Sequence, residues 1–253
     1  MNERVIAVIP SRWASSRFPG KPLATIAGKP MIQWVYERTS QAKKITETIV
    51  ATDDERICET VKSFNGKVVM TPSDLPSGTD RVAKAVAEMD VDAVINVQGD
   101  EPLIEPQAVD LLVDTLLQDS DAPMATLARK IDDPDEMTNY NSARVIFDKN
   151  FNALYFCRLP LPFVRDIKDS REWIKHFPYF DHIGIYAYRK DFLMNYSKLS
   201  YSALEHAEKL EQLRALENGY KIKVGIGDFN PICVDVPEDV ARVEQRIKEL
   251  DLA

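Results

Sequence analysis

Short apolar runs alternate with helical patterns in the first half of the chain, and this alternation restricts the fold more than any other feature. The apolar runs are expected to form strands at 5–9, 48–51, 67–70, 93–97 and 124–129. The helical patterns lie between them, at 30–43, 52–64, 79–89 and 106–118. Thr79 or Asp80 is the expected cap of the third helix. Strands and helices in this order form a parallel sheet with helices on both faces, so we predict an α/β fold with a mostly parallel, Rossmann-like sheet.

The second half of the chain has a different pattern. Two strand-like runs, 142–147 and 153–158, flank a turn at Asp148-Lys149-Asn150, which predicts a β-hairpin. A long irregular segment follows, and the later elements are a strand, one helix stopped by Gly219, a strand and a last helix, at 182–188, 204–218, 221–226 and 237–250. Because no linker composition separates the halves, we expect one domain over 1–253 with an inserted subregion at 131–190.

A cationic loop follows the first expected strand, over residues 9–23. It contains Arg12, Arg17 and Lys21 and no acidic residue, and three prolines stiffen it. In open α/β sheets ligands bind at the carboxyl ends of the strands, where this loop lies. A stiff cationic loop at that edge suits a polyanion such as a nucleoside triphosphate. A solvated basic loop without a ligand is the alternative, and the loop by itself favours neither.

Asp100 follows the fourth expected strand, at the same edge of the sheet as the cationic loop. A carboxylate beside a phosphate site is a natural ligand for Mg²⁺, which typically takes one or two protein carboxylates. Asp235 is a second candidate ligand. Its alternative role is a helix cap, because Pro237 begins the last helical pattern. Sequence spacing does not show whether the two carboxylates meet.

The composition excludes several classes of protein. The chain has 253 residues and a net charge of −8, which argues against a nucleic-acid partner or a membrane surface. No apolar run approaches the roughly 20 residues needed for membrane insertion, and the N-terminus shows no signal-peptide pattern. Cys58, Cys157 and Cys233 lie in apolar patterns, so we expect buried thiols and a cytoplasmic location. No G-x-G-x-x-G follows the first strand, which disfavours a Rossmann oxidoreductase.

Seven motifs, in order along nearly the whole chain, resemble the CMP-KDO synthetase family (3-deoxy-manno-octulosonate cytidylyltransferases). The Gln-Gly-Asp-Glu-Pro and Glu-Gln-Leu-Arg elements are the most specific. The motifs lie at Arg12–Leu23, Ala51–Asp53, Ser77–Arg81, Asn96–Pro102, His182–Tyr186, Leu204–Arg214 and Val234–Asp239. The resemblance implies the nucleotide-diphospho-sugar-transferase-like version of the α/β fold.

The resemblance also implies a reaction. CTP binds along the first loop, and the anomeric hydroxyl of an eight-carbon ulosonic acid (KDO) attacks its α-phosphate. Pyrophosphate leaves and a CMP-sugar forms, which activates the sugar for lipopolysaccharide biosynthesis. Positioning and charge neutralisation supply most of the catalysis in such transfers.

The family roles transfer to this chain by position. Arg12, Lys21, Asp100 and Asp235 are the implied catalytic residues, and Asp100 and Asp235 hold Mg²⁺, as one ion or two. The implied nucleotide-binding residues are Arg12, Arg17, Lys21, Ser77, Gly78 and Arg81. The implied sugar-binding residues are Gln98, Arg158, His182, Tyr186, Glu211 and Gln212.

For some of these residues the sequence favours plainer roles. His182 at a strand start is more often a histidine satisfied by its neighbours, and Tyr186 more often a core aromatic. Glu208, Glu211 and Gln212 would share one face of the 204–218 helix, and such an acidic face is normally solvated. Only the resemblance makes Glu211 a ligand.

The chain departs from the family pattern in two places. Ser11-Arg12-Trp13 replaces an expected Ala-Arg-Tyr, with little expected effect. Residues 157–179, near the expected sugar or dimer contact, match less well. The acceptor is therefore KDO or a variant such as 8-amino-KDO. Apolar residues in 159–180 favour a homodimer, and subregion 131–190 is the expected sugar-binding and dimerisation part.

Rival functions stay open at this point. One is a nucleotidyltransferase for sialic acid or a sugar phosphate, which would share the cationic loop. Another is a GT-A-like glycosyltransferase or a non-catalytic nucleotide-sugar-binding domain. That class should carry an Asp-x-Asp motif after the fourth strand, where this chain has Gly99-Asp100-Glu101.

Overall fold

The computed structural model describes residues 3–14 and 17–252. Its strands are β1 Val5–Ser11, β2 Thr25–Ile26, β3 Lys29–Pro30, β4 Glu47–Thr52, β5 Val68–Met70, β6 Ala93–Asn96, β7 Met124–Lys130, β8 Arg144–Phe147, β9 Ala153–Cys157, β10 Phe180–Arg189 and β11 Ile222–Ile226. Its α-helices are α1 Met31–Thr39, α2 Glu55–Ser63, α3 Gly78–Val86, α4 Pro106–Leu117, α5 Lys190–Tyr196, α6 Ala203–Glu208, α7 Leu213–Glu217 and α8 Asp239–Glu249. Short 3₁₀ helices lie at Lys21–Leu23, Pro134–Thr138 and Ser170–Lys175.

A mixed sheet forms the centre of the molecule, with strand order β11-β7-β10-β6-β1-β4-β5. The pairs β6–β1, β1–β4, β4–β5 and β7–β11 are parallel, which confirms the predicted α/β fold with a mostly parallel sheet. The exception is β10, which lies antiparallel between β6 and β7. The predicted hairpin is also confirmed, because β8 pairs with β9 and extends the sheet from β10.

Apolar side chains cover both faces of the sheet, as a parallel sheet requires. Along β1, Ile6 and Val8 pack into the cluster on one face, while Val5, Ala7 and Ile9 pack into the cluster on the other. Burial of one such side chain stabilises the fold by roughly 1.5–3 kcal/mol. The rigid strand that results holds the cationic loop at its carboxyl end.

A smaller apolar cluster fixes the C-terminal segment. Ile26, Trp34, Val234 and Val243 are buried in it, and the Trp34 indole Nε1 donates to the Ile26 carbonyl at 2.8 Å. Because Val234 is fully buried, the next residue in the chain is held at a fixed place beside the cationic loop.

Some of the expected element boundaries were wrong. The helix expected to reach 43 ends at Thr39, because the chain then turns so that Lys43 and Lys44 donate their amides to the Asp110 carboxylate. The single helix expected over 204–218 is two short helices, α6 and α7, separated at Lys209, which has a φ of 56°. Helix α5 was not predicted.

The expectation of three buried thiols was correct for Cys58 and Cys157 and wrong for Cys233, which is exposed. The neighbouring Val234 occupies the core position instead, and Cys233 borders a cavity. Within the described part of the chain, no helix has the length and apolarity to cross a membrane.

Candidate active site

The site begins where the two central parallel strands end. Val8 of β1 pairs with Asn96 of β6, so the loops that follow both strands leave the sheet side by side. A Cβ atom on Gly99 would lie 2.9 Å from the Pro10 carbonyl oxygen, which is closer than real contacts allow. A glycine is therefore needed for the two loops to touch, and this contact brings Asp100 next to the cationic loop.

The cationic loop is closed by its own contacts. Gly20 has a φ of 71°, and its amide donates to the Trp13 carbonyl at 3.2 Å. The Trp13 ring covers Gly20 on one side, and the Arg56 guanidinium of α2 stacks 3.3 Å from the ring centroid. Trp13 thus anchors the loop to α2, and the loop presents its cations to the carboxyl ends of the strands.

A cavity of about 480 Å³ lies between this loop and the start of α3. All six residues predicted to bind the nucleotide line it: Arg12, Arg17, Lys21, Ser77, Gly78 and Arg81. Ser77, rather than the expected Thr79 or Asp80, caps α3, and its hydroxyl oxygen accepts from the Asp80 amide at 3.1 Å. The amino end of a helix favours anions, so α3 adds to the attraction that the loop cations exert.

Arg81 differs from the other cations because it is buried. Its guanidinium donates to the Thr71 hydroxyl, to the Pro72 carbonyl at 3.3 Å and to the Asp53 carboxylate at 3.0 Å. These bonds fasten the ends of β4 and β5 to α3. Arg81 therefore forms the wall of the cavity, and its charge is already paired.

The two predicted metal ligands come together in the fold. The Lys21 ammonium lies 2.7 Å from the Asp100 carboxylate, 2.9 Å from the Val234 carbonyl and 3.8 Å from the Asp235 carboxylate. Arg17 donates twice to Asp235, at 3.1 and 3.3 Å. Residues from three distant parts of the chain thus form one cluster, in which a single cation reaches both carboxylates.

The alternative role of Asp235 as a helix cap is not supported. The Asp239 carboxylate at the start of α8 accepts the amides of Asp235 and Val236, at 2.8 and 3.1 Å. The Asp235 side chain is left to face the cations. Sequence reasoning considered only Asp235 for the cap and did not identify the role of Asp239.

A second cavity, of about 1100 Å³, adjoins the first at Arg17, Gly78, Gln98, Asp100 and Asp235. All six residues predicted to bind the sugar line this cavity: Gln98, Arg158, His182, Tyr186, Glu211 and Gln212. The carboxylate pair therefore lies where the two cavities meet. This is the place where two bound substrates would touch.

Polar atoms near the second cavity lack partners within the described residues. They include Oε1 of Glu211 and Nε2 of Gln212, while the Tyr186 hydroxyl donates to Gln212 Oε1 at 3.0 Å. Burial raises the pKa of the Glu211 carboxyl above its ordinary value. Glu211 is thus not on a solvated acidic face, because the break at Lys209 turns it inward. Unpartnered buried polar atoms beside a cavity are groups that a polar ligand can satisfy.

Arg158 joins two walls of the second cavity. Its guanidinium donates to the Glu208 carbonyl at 3.1 Å and to the Asn141 carbonyl at 2.7 Å. Among the described residues, only backbone carbonyls accept from its side chain, while the Glu208 carboxylate accepts the Arg158 backbone amide at 3.2 Å. The implied role of Arg158 in sugar binding stays a prediction.

Sequence reasoning missed several residues of these cavities, and Glu101 is the clearest. Its carboxyl is buried, and burial together with the neighbouring Asp100 charge raises its pKa to about 8. The other missed residues in the second cavity include Thr79, Asn96, Asn141, Ser142 and Asp181. The sequence offered one signal for two of these residues: Glu101 lies next to Asp100, and Asp181 lies next to His182.

His182 is held in a neutral state. Its Nε2 lies 2.9 Å from the Thr126 hydroxyl, and burial lowers the pKa of the imidazole to about 3. His182 therefore has a hydrogen-bond partner inside the protein, as the plainer role suggested by the sequence requires. It also lines the second cavity.

Loss of stability in mild acid is therefore expected from His182. Below the ordinary histidine pKa of about 6.5, the unfolded chain binds a proton that the folded chain excludes, so stability falls with decreasing pH from about 6.5 towards 3. Between pH 7 and pH 5 the His182 contribution is up to about 2 kcal/mol. Urea unfolding at both pH values should show a smaller loss for His182→Gln than for the wild type. The exposed His176→Gln is the control, and an equal loss in all three proteins would contradict the prediction.

The fold and the adjoining cavities define a class of protein, an α/β nucleotidyltransferase with a polyanion site at the carboxyl ends of its strands. Comparison with known proteins identifies the class more narrowly. Residues 6–222 match the family model described as Cytidylyltransferase.

Individual relatives cover nearly the whole chain. A 3-deoxy-manno-octulosonate cytidylyltransferase of Solibacter usitatus (strain Ellin6076) is 47% identical, over 98% of this chain and 96% of the relative. An 8-amino-3,8-dideoxy-manno-octulosonate cytidylyltransferase of Shewanella sp. (strain W3-18-1) is 50% identical, over 96% and 98%. A solved structure of CMP:2-keto-3-deoxy-manno-octonic acid synthetase complexed with CTP has a TM-score of 0.91 and 40% identity, over 98% and 99%. The chain belongs to the cytidylyltransferases, in the CMP-KDO synthetase family.

Proposed function

We propose that this chain transfers CMP from CTP to the anomeric hydroxyl of KDO or its 8-amino variant, releases pyrophosphate and so activates the sugar for lipopolysaccharide biosynthesis. The observation that supports this most is the position of Asp100 and Asp235 where two cavities adjoin, with Lys21 and Arg17 against them. The two cavities, of about 480 and 1100 Å³, give each substrate a separate space. The bond to be formed then lies at their junction.

The nucleotide cavity suits the triphosphate of CTP. Arg12, Arg17 and Lys21 neutralise phosphate charge, and the amino end of α3 faces the same space. Charge that develops on the leaving pyrophosphate is stabilised by the same cations. Arg81 holds the cavity wall through its bonds to Asp53 and Thr71.

The donor set at the junction fits a magnesium ion. Asp100 and Asp235 both lie within 4 Å of the Lys21 ammonium, so their carboxylates converge on one cation. Two carboxylates are the usual protein share of a Mg²⁺ site that also serves phosphates. When bound there, Mg²⁺ would neutralise phosphate charge and lower the pKa of a coordinated hydroxyl.

The second cavity suits a sugar with many hydroxyls and one carboxylate. Glu211 and Gln212 supply unpartnered polar atoms, and Arg158 supplies a guanidinium that donates to backbone carbonyls and to no carboxylate in the described chain. Orientation of the anomeric hydroxyl towards the α-phosphate converts a reaction between two molecules into one within a complex.

The test is pyrophosphate release from CTP and magnesium with KDO, 8-amino-KDO and sialic acid as acceptors. Release with KDO or its amino variant supports the proposal and identifies the acceptor, since relatives with both names are about equally similar. Release with sialic acid only would contradict it and favour a related cytidylyltransferase. Tight CTP binding without release for any acceptor would favour a nucleotide-sugar-binding domain.

A homodimer in the cytoplasm completes the proposal. Leu154 on β9, and Leu159 and Phe163 beyond it, are 61%, 60% and 65% exposed. Large exposed apolar side chains concentrated on one subregion favour a protein partner, here a second copy.

Light scattering after size exclusion should give twice the mass of 28.7 kDa, and Leu159→Glu together with Phe163→Glu should shift the measured mass towards that of one copy. A single-copy mass for the wild type at micromolar concentration would contradict the homodimer. The free thiols suit a reducing compartment.

A further inference from the structure

The residues that face the sugar cavity from the C-terminal half lie on a short turn. Residues 209–212 join α6 and α7, and they carry Glu211 and Gln212. Lys209 has φ 56° and ψ 42°, a left-handed conformation that ends α6 there. Helices of six and five residues are not stable in isolation, so other contacts must hold the turn in place.

A buried ion pair closes the base of this turn. Arg214 of α7 donates from Nε and Nη2 to the two carboxylate oxygens of Glu205 on α6, at 2.8 and 2.6 Å. Their side chains are only 9% and 3% exposed. A bidentate pair fixes both the distance and the angle between its partners. It therefore fixes α6 relative to α7, with the turn between them.

Aromatic residues extend this contact to the turn itself. The Arg214 guanidinium lies 5.2 Å from the Tyr196 ring centroid, and the Tyr196 hydroxyl donates to the Glu211 carbonyl at 2.6 Å. Tyr201 covers the guanidinium at 5.4 Å. The ion pair and the backbone of Glu211 are thus connected through one residue, Tyr196.

We propose that the Glu205–Arg214 pair positions the turn that recognises the sugar, an inference that rests on the proposed function. Neither residue lines either cavity, so both act through Glu211 and Gln212 and are positioning residues. A buried ion pair adds little net stability over an apolar replacement, because desolvation offsets the attraction. The ion pair therefore contributes to the site through the fixed position it gives the turn, rather than through added stability.

The experiment compares the Michaelis constants of the two substrates in Arg214→Lys and Tyr196→Phe. Lysine keeps the charge but loses the bidentate fork, so we expect the KM for the sugar to rise about tenfold while the KM for CTP changes less than about twofold. Tyr196→Phe removes one hydrogen bond and keeps the ring, so a rise of about threefold in the sugar KM is expected. Hydrogen exchange of the amides at 209–213 should become faster in both variants.

Asp119→Asn is the matched control. It breaks the partly buried ion pair between Asp119 and Lys223, at 3.2 Å, whose residues line neither cavity. If the Glu205–Arg214 pair matters only for stability, Arg214→Lys should lower the melting temperature as the control does. Neither substitution should then raise the KM for the sugar more than the KM for CTP.

An unchanged sugar KM, or an equal rise in both KM values, in folded variants of an active enzyme would overturn the inference and leave the proposed function standing. If Arg214→Lys does not fold, the Tyr196→Phe result decides. A wild type that releases no pyrophosphate with any of the three acceptors would overturn the proposed function and this inference with it.

Discussion

Replacement of Asp100 by asparagine is expected to lower kcat for pyrophosphate release by roughly 100-fold or more, while the chain stays folded. The substitution keeps the size of the side chain and removes a charge at the place where the two cavities adjoin. A neutral amide is a poorer partner for Mg²⁺ and no longer balances the cations around it. The loss of stability should be about 1 kcal/mol or less, because the Asp100 side chain is 30% exposed and its ion pair is screened by solvent.

The measurement combines turnover with thermal unfolding. Asp132→Asn is the matched control, because the Asp132 side chain is 77% exposed and pairs with Lys130 away from both cavities. Turnover of Asp100→Asn within a few fold of the wild type would show that this carboxylate has no part in the reaction. A large drop in melting temperature would show that it is mainly structural.

Replacement of Lys21 by methionine is expected to weaken the binding of CTP and to strengthen the binding of a metal ion. The KM for CTP should rise and kcat/KM should fall roughly 100-fold or more, because a cation of the proposed triphosphate site is lost. In the absence of nucleotide, binding of Mn²⁺ as a probe should become tighter. Lys21 lies 2.7 Å from Asp100 and 3.8 Å from Asp235, so its ammonium occupies the place where a metal would neutralise them.

Mn²⁺ binding is measured by electron paramagnetic resonance, which does not depend on turnover. Lys67→Met serves as the control, since Lys67 is exposed and pairs with Glu47 away from both cavities. If Lys21→Met binds Mn²⁺ no better than the wild type does, the lysine does not compete with the metal. If its activity is normal as well, the loop has another role.

The fold was predictable where local pattern and burial agree. Strands β1, β4 and β6 are apolar because both of their faces are covered, and their order with the intervening helices indicates parallel pairing. The antiparallel insertion of β10 between β6 and β7 was not predictable, because pairing between distant segments has no local signal. The break at Lys209 was missed for a similar reason. The local pattern at 204–218 is helical, but the ion pair between Glu205 and Arg214 and the left-handed Lys209 depend on tertiary packing.

The candidate site was predicted largely through the family resemblance rather than through spacing. All fourteen residues to which the resemblance assigns a role line one or both of the two cavities, but the motifs did not distinguish what each does there. Arg81 has the sequence context of a free phosphate ligand, yet it is buried and already paired with Asp53. Glu101 and Asp181 were passed over because their burial, which makes them unusual acids, is visible only after folding.

The place of β10 in the sheet has a consequence for the order in which the molecule assembles. Tyr186 pairs with both Asn96 of β6 and Thr126 of β7. Each of these strands therefore lacks one of its pairing partners until β10 has been synthesised. During synthesis, both strand edges stay open while the ribosome translates the whole hairpin subregion. Pairings so distant along the chain slow folding, and open edges invite association with other chains. Aggregation of the nascent protein is therefore favoured until Arg189 has been added, and the second edge of β7 stays open until β11 follows.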